Sequence, residues 1–447
     1  MGLISPGGEN LANTATGVQV TWNAVTGAEQ YRVFYKVSGG SWKKVGDTTG
    51  TSLTATGLTS GTTYYFTVRC LNAAGTAFTS SYNTTGTGIT YVAAPVIKSV
   101  ANTTNGVKVT WGAVNGAGQY RVFYKVAGGS WKISGNTTNT YLTVTGLSSG
   151  TKYYFTVRCM NSAGTAYTSV YDSVANLTYV AEPKITNVTN AATGVQVSWN
   201  AVTGADQYRV FYKVSGGSWK KAGDTTGTSL TATGLTSGTT YYFTVRCLNA
   251  AGTAFTSSYN TTGTGITYIA PPVLSSAANT ATGVKVSWGA VGGAEKYRVF
   301  YKVAGGSWTK AGDTTGTSFV VTGLTSGTKY YFTVRCMNTG GTAYTSTFNS
   351  IVNVTYIAQP VVSKLASTTG GIQVSWGAVK GAEKYRVFYK VSGGSWIKAG
   401  DTTGTSLKVT GLTKGTTYYF TVRCMNSRAT AYTSTYNTTG WKAAYTG

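Results

Sequence analysis

A tryptophan returns at Trp22, Trp111, Trp199, Trp288 and Trp376, 88 or 89 residues apart, and a second tryptophan follows each of them 20 residues later. Self-similarity at a fixed period constrains architecture more than length does, because each repeat has to be one folding unit joined to its neighbours. Length alone would suggest about three domains. The period instead divides the 447 residues into five units, 1–92, 93–180, 181–269, 270–357 and 358–447. Units one and three are almost the same sequence from Thr16 and Thr193 onward, which points to internal duplication rather than to five separately tailored sites.

Within a unit the dominant pattern is period two. The stretch from Leu58 to Cys70 is repeated with little change up to Cys159, Cys247, Cys336 and Cys424. Reading Tyr64 to Cys70 in alternation puts Tyr64, Phe66, Val68 and Cys70 on one face and Tyr65, Thr67 and Arg69 on the other, as a strand covered on one side requires. Gly17 to Trp22 sends Val18, Val20 and Trp22 inward. Tyr31 to Lys36 sends Tyr31, Val33 and Tyr35 inward and Arg32, Phe34 and Lys36 outward. Ser41 to Lys44, Leu53 to Ala55 and Thr87 to Val92 read as three further strands. Short joints such as Ala93-Ala94-Pro95 follow each unit, with Ala181-Glu182-Pro183, Ala270-Pro271-Pro272 and Ala358-Gln359-Pro360 as equivalents. Proline in so short a joint restricts the backbone and excludes a long flexible tether.

The run Leu58-x-x-Gly61-Thr62-x-Tyr64 resembles the tyrosine corner of fibronectin type III domains, and the tryptophan of the second strand and Tyr31-Arg32-Val33-x-Tyr35 fit the same family. The resemblance covers essentially the whole chain. It implies an all-β protein of five tandem fibronectin type III (immunoglobulin-like) antiparallel β-sandwiches arranged as an elongated rod, on the order of 150 Å long at roughly 3.3 Å per strand residue. It also implies that the Tyr64 hydroxyl bonds back to upstream backbone, and that the strands holding Arg32 and Arg69 are neighbours. The Gly-Gly-Ser-Trp and Thr-Gly-rich style resembles bacterial surface repeats, especially Gram-positive ones. The fold hosts stalks, receptors, enzyme accessory modules and virion proteins, so fold alone does not give function.

The composition argues against chemistry. The chain has no histidine, which removes Ser-His-Asp and Cys-His nucleophiles and the commonest metal ligand. Paired carboxylates for glycoside hydrolysis are also missing as a recurring feature, since Glu29 and Asp47 of unit one are replaced by Gly118 and Asn136 in unit two. These acids read as solvated turn residues. No motif for a nucleotide or calcium is present, so no cofactor, no metal and no catalytic residue is expected. The five cysteines occupy one inward position per unit and read as small buried hydrophobes. No run approaches a membrane span, and Met1 to Pro6 lacks the regions of a signal peptide. The chain then reads either as a piece of a longer secreted or cell-surface protein or as part of a virion.

Net charge is +25, distributed +2, +6, +3, +5 and +9 over the five units. Such a field attracts polyanions without choosing among them. Acidic polysaccharide, teichoic acid or another protein are the partners it suits. Specific nucleic-acid binding is not expected, because the fold offers no usual groove-reading element.

One constellation is a candidate binding face. Arg32, Phe34, Lys36, Trp42, Tyr65 and Arg69 fall on the outer side of one sheet. Arg121, Phe123, Lys125, Trp131, Tyr154 and Arg158 repeat the set in unit two, and Arg386, Phe388, Lys390, Trp396, Tyr419 and Arg423 in unit five. Flat rings stack on sugars while cations hold anionic groups. The same residues also suit plain cross-strand packing, with Arg and Lys stems covering rings, or self-association of the apolar patches into a fibre. The leading expectation is a non-enzymatic extracellular array, a structural stalk or adhesion segment of a bacterial surface protein. A module for acidic glycans or wall polymers, a phage tail or decoration protein and a fibre subunit remain as alternatives.

Overall fold

A computed structural model of the chain describes residues 5–348 and 350–447. The reading of Met1 to Ile4 as lacking a signal peptide lies outside the described residues. Module one contains seven strands: β1 (Asn10–Asn13), β2 (Gly17–Thr21), β3 (Gln30–Val37), β4 (Lys43–Thr48), β5 (Ser52–Thr56), β6 (Thr63–Leu71) and β7 (Thr87–Thr90). They form a three-stranded sheet in the order β1-β2-β5 and a four-stranded sheet in the order β4-β3-β6-β7. Every pairing is antiparallel. The same two sheets recur in each of the other four modules, and no helix occurs among the described residues.

The alternation read from the sequence builds the core. Val18, Val20 and Trp22 of the first sheet meet Tyr31, Val33, Tyr64, Phe66, Val68 and Cys70 of the second, all of them buried. Trp22 packs edge-on against Tyr31 with ring centroids 5.4 Å apart, and the other four modules repeat that distance. Buried hydroxyls need partners, and both core tyrosines have one. Tyr64 accepts from the Thr59 backbone N–H at 2.9 Å, as the tyrosine corner requires. Tyr31 accepts from the Val25 N–H at 2.9 Å, a second backbone anchor. Both bonds recur in all modules.

All five cysteines are free and buried. Burial pushes the thiols of Cys159, Cys247 and Cys424 up to about 11, so they stay protonated at neutral pH.

Candidate functional site

The predicted face exists as a neighbourhood. In the β3–β6 register Arg32 stands opposite Arg69, Phe34 opposite Thr67 and Lys36 opposite Tyr65. Modules two and five place Arg121 opposite Arg158, Lys125 opposite Tyr154, Arg386 opposite Arg423 and Lys390 opposite Tyr419. Trp42 lies at the edge of the sheet with the Lys36 ammonium 4.5 Å above its ring, and Trp131 and Trp396 hold Lys125 and Lys390 at 4.9 and 4.7 Å.

The face is only partly open to water. Arg32, Phe34, Lys36, Trp42, Tyr65 and Arg69 are all half-buried, and Thr67, placed by alternation on the same side, is sealed at 1% exposure. The cover is the segment 72–86 between β6 and β7, which folds back across the sheet. Asn72 shapes its first turn by accepting from the Thr76 and Ala77 N–H groups. Buried Ser80 then pins it, accepting from the Cys70 N–H at 2.8 Å. Phe78 and Tyr82 are the contact side chains. Phe78 lies 6.0 Å from Phe34, Tyr82 lies 6.4 Å from Trp42, and the Arg69 guanidinium stacks between them at 3.7 and 4.9 Å. A slot of about 330 Å³ remains among Arg32, Phe34, Trp42, Arg69, Phe78 and Tyr82.

Two guanidiniums directly opposite one another repel, and the module resolves this in two ways. Arg69 goes to the aromatic cover and the Ser80 carbonyl. Arg32 forms a two-point ion pair with Asp47 at 2.6 and 2.8 Å, and Lys44 joins the same carboxylate at 2.7 Å. These cations lower the Asp47 carboxyl to about 2, the Arg32 hydrogen bond contributing most. Asp47 is therefore an exposed strand residue neutralising the face, solvated as the sequence suggested but not in a turn. Asp224, Asp313 and Asp401 do the same work in modules three, four and five. In module two Arg121 instead bonds Asn136, the Tyr167 hydroxyl and the Gly164 carbonyl, so its charge has no carboxylate partner among the described residues.

A second recurrent constellation, absent from the sequence reading, sits at the joints. Asn13 Nδ2 donates to the Thr90 carbonyl of its own module at 3.0 Å and to the Thr168 carbonyl of module two at 2.8 Å. Ser60 Oγ accepts from the Ala93 N–H of the linker at 2.9 Å and donates to the Asn115 carbonyl of module two at 2.7 Å. Val92, 2% exposed, is packed into the core of module two. Beside it Gly61 and Gly116, with φ of +84° and +88°, approach so closely that a Cβ on Gly116 would lie 2.7 Å from the Gly61 Cα. The next three joints repeat the set with Asn102, Ser149 and Val180, then Asn190, Ser237 and Ile269, then Asn279, Ser326 and Ile357. Cys159 Sγ adds a weak bond to the Ala93 linker carbonyl at 3.7 Å. The signal in the sequence was the return of Asn and Ser-Gly at fixed places in four units.

The family model for the fibronectin type III domain matches residues 5–87, 94–171, 181–264 and 270–351. The chain belongs to the fibronectin type III family. Residues 358–447, beyond those matches, form the same pair of sheets. The fibronectin type III array is 33% identical over 270 residues to exoglucanase B of Cellulomonas fimi, a match covering 54% of this chain and 23% of that protein. It is 27% identical to fibronectin type III domain-containing protein 7 of Mus musculus, over 87% of this chain and 51% of that protein. The chain thus spans about half or less of the relatives it matches, and an enzymatic name among them describes a protein that lies mostly outside the match. Among solved structures, the chicken CNTN1 FN1-FN3 domains align with a TM-score of 0.21 and 18% identity, covering 60% of this chain and 99% of that one. Among the described residues no group of His, Cys, Asp and Glu is placed to hold a metal, and no helix is long and apolar enough to cross a membrane.

Proposed function

We propose that the array is a non-enzymatic extracellular spacer, the stalk or adhesion segment of a bacterial surface protein, in which rigid joints hold five fibronectin type III modules in line. The observation that carries this reading is the recurrence of one joint, with an asparagine bridge, a serine bridge, an apolar plug and a glycine–glycine contact, at four successive places. A flexible string would need none of these. The matching exoglucanase B of Cellulomonas fimi supports a bacterial setting for such modules. Small-angle X-ray scattering of the purified chain tests the proposal. An extended particle with a maximum dimension on the order of 150 Å is expected, and a compact pair-distance distribution would refute it.

A second reading, contact with acidic glycans or wall polymers, is favoured by one observation. Module two leaves the Arg121 guanidinium without the carboxylate that neutralises its counterpart in the other four modules. Co-sedimentation with teichoic acid, weakening as salt rises and lost in Arg121→Gln, would support it. Binding indifferent to that substitution would not.

A further inference from the structure

The trailing pole of module five departs from the other four at all three side-chain positions that make a joint. Ser367 stands where Asn13, Asn102, Asn190 and Asn279 stand, Lys414 replaces Ser60 and its equivalents, and Thr446 replaces the plug Val92 and its equivalents. The backbone has kept its shape, since Gly415 retains the positive φ of Gly61, at +78°. Only the chemistry has changed.

Each change removes a capacity the joint uses. The Asn13 amide has two N–H groups and bridges two carbonyls, one on each side of the joint. Ser367 has a single short hydroxyl, and it is already engaged with the Thr446 N–H and hydroxyl, both at 2.9 Å. Ser60 Oγ accepts from the linker and donates to the next module. Lys414 carries an ammonium, which donates only and cannot accept a linker N–H. Sinking the Thr446 side chain into a neighbouring core would bury a hydroxyl where Val92 and Ile269 bury only carbon.

We infer that module five has lost the locking half of the joint, so that a fibronectin type III module following it would be attached by a swivel rather than docked. This inference rests on the spacer reading, and its test separates the two. A copy of residues 93–180 is fused in place of Gly447, so that its first alanine follows Thr446 as Ala93 follows Val92, and spin labels are placed at Thr403→Cys and at the added module's copy of the Thr138 position. A control pair at Thr138→Cys and Thr226→Cys, all exposed sites, reports the joint between modules two and three. Pulsed electron paramagnetic resonance should give a narrow distance distribution for the control and a broad one for the added module. Ser367→Asn, Lys414→Ser and Thr446→Val together should narrow the second to the width of the first. An added module that is already as tightly held as the control, or a triple variant that stays broad, would overturn the inference. A broad control would instead overturn the spacer reading itself.

Discussion

The inner and outer faces of the four-stranded sheet are made by the same residues of the same strands taken alternately, yet they are closed by different means. Inside, Val33, Phe66, Val68 and Cys70 are fully buried against the second sheet. Outside, Arg32, Phe34, Lys36 and Arg69 are covered by a segment with no regular structure, held by an asparagine turn, a buried serine and two aromatic rings. The inner closure rests on apolar area removed from water. The outer one rests on pairing each cation with a ring, a carbonyl or a carboxylate, so it is weaker and more easily edited. Module two, which substitutes Asn136 for the aspartate, shows such an edit.

The largest effect that would sharpen this contrast is expected from Phe66→Ala. It should cost module one about 3–5 kcal/mol, read as lost hydrogen-exchange protection in β6 within the full chain. Phe78→Ala on the outer cover should cost about 1 kcal/mol. Equal losses would mean that the outer cover is as much a core as the inner face.

Tyr64→Phe is expected to fall between them, at about 1–3 kcal/mol, because the Thr59 N–H loses its acceptor while the ring stays. A loss confined to the corner's own amides would separate that bond from the general core.

Acid should distinguish the outer faces from one another. The Asp47 carboxyl is lowered from 3.8 to about 2 in the folded module. Its pairing therefore stabilises fully above the unfolded value and fades as pH falls from about 4 towards 2. Asp224, Asp313 and Asp401 follow the same sign. Module two, with Asn136, should lack this component, so module-resolved hydrogen exchange across that range should show four modules weakening through it and one spared.

The smallest effect expected is a gain. Ala429 adopts φ of +55° where the other modules place glycine, the one such non-glycine residue among those described. Ala429→Gly should stabilise the cover of module five by up to about 1 kcal/mol, measurable as slower exchange at Ala431 and Thr433.

These contrasts also mark what the sequence could convey. Alternation placed Trp22, Tyr64, Phe66 and Cys70 inside, because side-chain period is local and regular, while the family resemblance was needed to put Arg32 beside Arg69. It could not say whether the outer side was wet. That depends on 72–86, whose Phe78 and Tyr82 follow no period and act only after the loop folds back. It put Asp47 in a turn for a different reason, since the β3–β4 pairing that brings it to Arg32 includes a register shift after Val33. The joints were hidden differently. Asn13 and Thr168 are 155 residues apart, and the only trace of their meeting was the persistence of asparagine in units one to four and its replacement by Ser367 in unit five.

The joints carry the account, and the direct measurement is of residual dipolar couplings from modules two and three, segmentally labelled within the full chain. A rigid joint through Asn102, Ser149, Gly150 and Val180 predicts that both modules fit one alignment tensor. Two tensors of clearly different magnitude would contradict it.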